Sequence, residues 1–205
     1  MLKTLGFTAQ IIKINQEHTT IQSELARVIT VHKGRYIIRN QKGIFRAEIM
    51  GNLRYNTEYT SDYPVVGDWV HCIPMDEESV VIKSVLNRYS TLERKAIGQY
   101  NESQMIAANI DIAFIVMAVN QDFNLNRLDR YTSICHSGGI QPIVILTKID
   151  LIHKEHVKLY INQIQERYSS MEVYSVSMYS EERLNAFKHV LNANTTYCFV
   201  GSSGV

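Results

Sequence analysis

Gly138-Gly139-Ile140-Gln141-Pro142-Ile143-Val144-Ile145-Leu146-Thr147-Lys148-Ile149-Asp150 is the stretch on which the fold turns. A glycine pair stops whatever precedes it, a run dominated by β-branched and aliphatic residues follows, and the chain then becomes polar within two residues. Such a short apolar run between turn signals reads as a strand buried on both faces. Its neighbours repeat the theme. Upstream, Asp111 to Val119 is another continuous apolar run, and Leu125 to His136 sets Leu125, Leu128, Tyr131, Thr132 and Cys135 at helical spacing. Downstream, a helix over Lys154 to Tyr168, a strand over Val173 to Val176, a helix over Glu181 to Leu191 and a strand over Thr196 to Val200 complete the series. Buried strands alternating with helices imply a parallel sheet covered on both faces, whose ligands sit at the carboxyl ends of the strands. By composition, Gln99 to Asn109 is expected to add a helix at the start of this half.

Before Arg88 the pattern is different. Leu25 to Val31, Arg35 to Arg39, Ile44 to Met50, Gly67 to Ile73 and Ser79 to Leu86 read as five short strands between turn signals, with no helical periodicity among them. That spacing points to a small closed barrel of the OB type, which binds oligonucleotides on the face of its second and third strands. The expected organisation is therefore α/β plus all-β: an N-terminal extension over 1–23, an OB-like β-barrel over 24–90, and an α/β domain over 91–205.

The 205 residues carry a net charge of +1, but the charge is unevenly divided. Up to Gly98 there are 13 Lys and Arg against 10 Asp and Glu, and beyond it 8 against 10. The excess is sharpest where Lys33, Arg35, Arg39, Lys42, Arg46 and Arg54 face the single acid Glu48. This is either the solvated side of strands or an anion-binding patch for RNA. Tyr36, Phe45, Tyr55, Tyr59 and Tyr63 interleave with it and could supply a stacking platform, a role that Trp69 could share if it is not barrel core. Hydrophobic residues at 45% and charged residues at 20% exclude the disordered classes. No apolar run approaches a membrane span and the N-terminus has no secretory pattern, so a soluble, cytoplasmic chain without a membrane partner is expected. Cys72, Cys135 and Cys198 have no metal or disulfide spacing and read as reduced core thiols. His153 and His156, without a third ligand, read as surface residues.

Two strand ends carry chemistry. Past Leu146 stands Thr147-Lys148-Ile149-Asp150. A carboxylate held at a strand end can accept from two adjacent N–H donors, which guanine presents and adenine does not. Asp150 would then select guanine, with the Lys148 stem along the base; the alternative is that Asp150 caps the next helix. Past Val200 stands Gly201-Ser202-Ser203-Gly204-Val205, the first five positions of a G-x-x-x-x-G-K-[ST] phosphate loop, or else an ordinary turn. In an ordinary guanine-nucleotide domain the phosphate loop precedes the base reader. Here the order is reversed, as in a circular permutation.

The chain resembles the RsgA family, also called YjeQ or YloQ, of circularly permuted GTPases. The resemblance rests on Pro64 to Val70 in the barrel, Leu86 to Lys95 at the joint, Ala108 to Asp111, Asn126 to Tyr131, Leu146 to Leu151 and Gly201 to Val205. It implies a partial, circularly permuted P-loop GTPase domain ending inside the phosphate loop. It further implies GTP hydrolysis on the small (30S) ribosomal subunit late in its maturation, with the barrel on ribosomal RNA and the protein a monomer. The nucleotide-binding set it implies is Thr147, Lys148, Ile149, Asp150, Ser177, Met178 and Gly201, Ser202, Ser203, Gly204, Val205. The RNA-binding candidates are Lys33, Arg35, Arg39, Lys42 and Arg46. Mg²⁺ would accompany GTP or GDP, and Zn²⁺ would belong to a C-terminal domain. The phosphate-loop lysine, the Mg²⁺ hydroxyl, the switch regions and the zinc ligands would all lie beyond Val205, so no catalytic or metal residue is expected within these residues, and the 205-residue chain alone is expected to be inactive. Thr147 stands where Asn is commoner, and Val176-Ser177-Met178 replaces the usual base-contacting loop. The reading from another class is a non-catalytic RNA-binding module with a degenerate nucleotide site.

Overall fold

In Arg35-Tyr36-Ile37-Ile38-Arg39 alternate side chains are exposed and buried, the period-two signature of a strand with one wet face. The computed structural model describes residues 2–15, 24–51, 60–95, 103–120 and 122–205. Five of its strands close a barrel: β1 (Glu24–His32), β2 (Arg35–Arg39), β3 (Ile44–Ile49), β4 (Trp69–Pro74) and β5 (Ser79–Val85), in the order β1-β2-β3-β5-β4. β3 and β5 run parallel and the other pairs antiparallel. The inward residues Ala26, Val28, Tyr36, Ile38, Ala47, Val70, Cys72, Val80 and Ile82 fill the interior.

The N-terminal residues plug one end of this barrel. A short helix α1 (Ala9–Ile14) brings Ile11 against Trp69 and Leu86, with Leu2, Leu5 and Phe7 around them. Trp69 is fully buried, edge-on to Phe7 at 4.7 Å, with the Arg27 guanidinium over its ring. It is core, and the stacking role open to it from sequence is excluded. The buried Asn15 side chain closes α1 onto the strand end after β5, donating to the Ile11 and Asn87 carbonyls and accepting from the Asn87 N–H.

A buried ion pair fastens the segment before β4. Asp68 has no exposed side-chain surface, and Arg88 grips it through both carboxylate oxygens at 2.7 Å. The same guanidinium donates to the Ser61 and Tyr63 carbonyls, while Asp68 accepts from the Val65 N–H. All five interactions are charge-assisted hydrogen bonds, which is what a charge removed from water requires.

Strand β6 (Thr91–Lys95) pairs antiparallel with β7 (Ser103–Ala108). The helix expected over 99–109 is thus corrected to a strand over its described part. Gln, Met and Ala are good helix formers, but propensity amounts to only a few tenths of a kcal/mol per residue, and pairing with β6 together with the Val66–Ala107 bridge overrides it. These pairings carry the first compact unit to Ile110, with the second running from Asp111 to Val205, so the expected limit at 90/91 falls inside the first unit.

In the second unit, β8 (Ile112–Ala118), α2 (Leu125–Ser137), β9 (Gln141–Thr147), α3 (Lys154–Arg167), β10 (Val173–Ser175), α4 (Glu181–Lys188) and β11 (Tyr197–Gly201) alternate along the chain. All strand pairs are parallel, in the order β10-β9-β8-β11. Ile115, Met117, Val144 and Leu146 face one side, where Leu128 of α2 and Val157 and Ile164 of α3 cover them. Phe114, Ile143 and Ile145 face the other, against Phe187 of α4. Among the described residues no helix is long and apolar enough to cross a membrane. Cys72, Cys135 and Cys198 are free thiols, and burial pushes the first two up to about 11 and the third to about 12.

Replacing Arg88 by Met leaves the Asp68 carboxylate buried without its counter-ion. The expected loss is about 3–5 kcal/mol in urea unfolding of the first unit. A loss below about 1 kcal/mol would show that the pair does not anchor the segment.

Candidate functional site

Because the four strands of the second unit are parallel, their carboxyl ends share one rim, and the residues after them meet there. After β9 the chain turns sharply. Lys148 takes a left-handed conformation (φ 58°) and starts a single 3-10 turn, Ile149–Leu151, that buries Ile149 and leaves Asp150 exposed. That backbone costs a non-glycine residue on the order of 1 kcal/mol, offset by the burial of Ile149. Asp150 does not cap α3, whose N-cap position is His153. Its carboxylate instead accepts from the hydroxyl of buried Ser177, just after β10, and the Ser177 oxygen accepts from the Tyr179 N–H at 3.1 Å. Ser177 thus fixes one oxygen of Asp150, while Met178 stands exposed beside it.

At the end of β11, Gly201 lies so close to β8 that a Cβ there would meet the Val116 carbonyl at 2.7 Å, and beyond it Gly204 adopts φ 81°. Neither position tolerates a larger side chain without strain. The Lys148 ammonium donates to the Gly204 carbonyl, joining the two strand-end segments directly. Thr147 takes no part in that bridge, since its hydroxyl points to the Met117 carbonyl at 3.5 Å. Among the described residues no partner takes the N–H groups of Ser203, Gly204 and Val205. A turn whose carbonyl is held while its N–H groups stay open is suited to an anion.

Sequence reasoning assigned no individual role to the other side of this turn. Tyr131 of α2 donates to the Gly201 carbonyl at 3.1 Å, and Arg127 donates to the Ser202 hydroxyl at 2.7 Å. Ser202 in turn donates to the Asp122 carboxylate, which also pairs with Arg127. The i, i+4 spacing of Arg127 and Tyr131 just after an N-cap asparagine was the available signal. Burial alone would push the Asp122 carboxyl up, but the Ser202 hydroxyl and the Arg127 guanidinium outweigh it and hold the group below the ordinary carboxylate range.

In the first unit, Arg35, Ile37 and Arg39 project from the outer face of β2, and Ile44, Arg46 and Glu48 from that of β3, with Ile37 opposite Arg46 and Arg39 opposite Ile44. Lys33 lies exposed in the β1–β2 turn. Lys42 is ion-paired with Glu24, which reduces its contribution to the cluster. Tyr36 points into the barrel and is removed from the expected aromatic platform, and Phe45 packs against the barrel core. Arg54, Tyr55 and Tyr59 lie outside the described residues. His153 and His156 have their rings 6.2 Å apart, and among the described residues no three His, Cys, Asp or Glu are grouped to hold a metal ion.

The family model described as RsgA GTPase matches residues 85–205. A small ribosomal subunit biogenesis GTPase, RsgA 2 of Lactiplantibacillus plantarum, is 33% identical over 181 residues, covering 88% of this chain and 51% of the relative. The chain spans about half the length of the curated relatives it matches. Among solved structures, YloQ, described as a circularly permuted GTPase, superposes with a TM-score of 0.66 at 24% identity, over 92% of this chain and 63% of that one. YjeQ from Thermotoga maritima gives 0.70 at 19% identity, over 89% and 61%.

The lowered Asp122 group contributes stability that is present above its unfolded value, about 3.9, and is lost as pH falls through its lower native value. The amide signals of Gly201 and Ser202, followed by NMR, are therefore expected to hold steady from pH 7 to about 4 and to move only below that. A midpoint above pH 5 would contradict this origin of the shift.

Proposed function

We propose, from the premise that the chain belongs to the RsgA GTPase family, that it supplies the guanine-reading and phosphate-cradling parts of a GTPase that acts in small ribosomal subunit maturation. The observation that carries this reading is the Lys148–Gly204 bond, which unites the Asp150 turn with the Gly201–Val205 turn on one sheet rim.

Within such a site the division of labour follows from the geometry. Asp150, with one oxygen held by Ser177, accepts from the N1–H and 2-amino groups of guanine. The Lys148 stem lies along the base, Ile149 anchors the turn in the core, and the backbone beside Met178 borders the base. The open N–H groups of Ser203, Gly204 and Val205 receive phosphate oxygens, with Gly201 and Ser202 setting the turn. None of these groups transfers a proton or activates water. They bind and orient, and positioning with charge neutralisation supplies most phosphoryl-transfer catalysis. Mg²⁺, which neutralises phosphate charge in such enzymes, has no assigned ligand among these residues. Zn²⁺ likewise has no assigned ligand among these residues. The exposed arginines of β2 and β3 are proposed to touch ribosomal RNA in the cytoplasm, with the protein acting as a monomer on the 30S subunit.

Two measurements test this. In the full-length protein, GTP should bind much more tightly than ATP, and Asp150→Ala should reduce that preference about 10- to 100-fold, the worth of a charged hydrogen-bond pair. Equal affinity for both nucleotides in the unmutated protein would leave the non-catalytic RNA-binding module. Charge reversal at Arg35, Arg39 and Arg46 should lower the slope of log affinity against log salt for single-stranded ribosomal RNA by about 2 or more. An unchanged slope would make this face merely solvated.

A further inference from the structure

The Gly201–Val205 turn is held from a side that base recognition does not explain. Asp122, in the loop after β8, and Arg127, in the first turn of α2, form an ion pair with side chains only 20% and 28% exposed. Their joint partner is the Ser202 hydroxyl, which accepts from Arg127 and donates to Asp122, so its rotamer is fixed from both directions. The pair is itself braced. The Asn124 side chain caps the Arg127 N–H at 3.0 Å, and the Asn120 side chain accepts from the Asp122 N–H at 3.1 Å. One helical turn further along, Tyr131 fixes the Gly201 carbonyl. These tethers use a hydroxyl and a carbonyl of the turn, as Lys148 does at Gly204, and leave the N–H groups of residues 203 to 205 open.

We infer that Asp122 and Arg127 are positioning residues that act through Ser202 to hold the phosphate turn in its anion-receiving shape, so that they govern affinity for the diphosphate part of a guanine nucleotide and not for its base. This inference rests on the nucleotide reading above. Its physical basis is preorganisation: a turn already held in place loses less freedom when a pyrophosphate enters. Because the base is read at Asp150, on a different strand-end segment, the two contributions separate by ligand. A nucleoside monophosphate keeps the base contacts and lacks the β-phosphate.

The test compares GDP with GMP, by competition against a fluorescent guanine nucleotide, in the full-length protein. Arg127→Ala and Ser202→Ala are each expected to weaken GDP about tenfold, the scale of a lost charge-assisted hydrogen bond, and to leave GMP unchanged. Asp122→Asn, which keeps an oxygen to accept from Ser202, is expected to fall between them and the unmutated protein. Equal loss for both nucleotides would mean a general structural role and would overturn the inference, as would no loss for either. Ser202→Ala removes one oxygen from a half-buried side chain and carries the test if the Arg127 variant does not fold. Failure of the unmutated protein to bind GDP would instead overturn the nucleotide reading itself.

Discussion

Everything at the candidate site depends on the parallel pairing of β8, β9, β10 and β11. Parallel strands put every carboxyl end on one rim, so segments far apart in sequence become neighbours without any long loop. Asp150 follows β9, Ser177 follows β10, Asp122 follows β8 and Gly201 ends β11. Hydrogen bonds then join them across the rim. Such pairing requires apolar side chains on both faces of each strand, which is why Ile143 to Leu146 contains no polar residue. The same constraint makes chain order secondary. A sheet edge assembles the same neighbours wherever the chain starts, provided that each strand enters in the same direction.

The two turns on this rim solve different problems by the same means. Lys148 accepts an unfavourable backbone conformation so that Ile149 turns inward and Asp150 outward, and the buried residue holds the exposed one in place. Gly201 has no side chain because the Val116 carbonyl occupies the space that one would need. The two turns offer groups of opposite kind. Asp150 offers an acceptor, and residues 203 to 205 offer donors. Lys148 flanks the donor turn with a cation, whereas the charge of Arg127 on its other side is balanced by Asp122.

Periodicity made most of this fold legible in the amino-acid sequence. The five barrel strands and the alternating strands and helices of the second unit lie close to their expected limits, because each buries a face with a clear period. What escaped had no such pattern. Strand β7 carries residues of helical composition and is a strand only because β6 pairs with it. Helix α1 buries a single residue, Ile11, too few to show a stripe. At the site, Thr147-Lys148-Ile149-Asp150 was visible as a string, whereas the Asp122, Arg127 and Ser202 cluster joins residues about 80 apart whose contact is created by tertiary structure. The pairing of Lys42 with Glu24 is of the same kind, and so is the capture of Trp69 by residues of the N-terminal segment.

Strand alternation also decides what the basic face of the barrel can do. Arg35, Arg39 and Arg46 share the outer face with Ile37 and Ile44, while the aromatic residue of β2, Tyr36, is turned inward. A polyanion laid on that face would meet charges interspersed with aliphatic side chains. Attraction to phosphates is long-ranged and indifferent to base identity, and stacking requires flat rings. If RNA binds there as proposed, the outer face of β2 and β3 would supply affinity and salt dependence in preference to sequence reading. Selectivity for a particular RNA would then have to come from the shape of that RNA and from residues beyond these two strands.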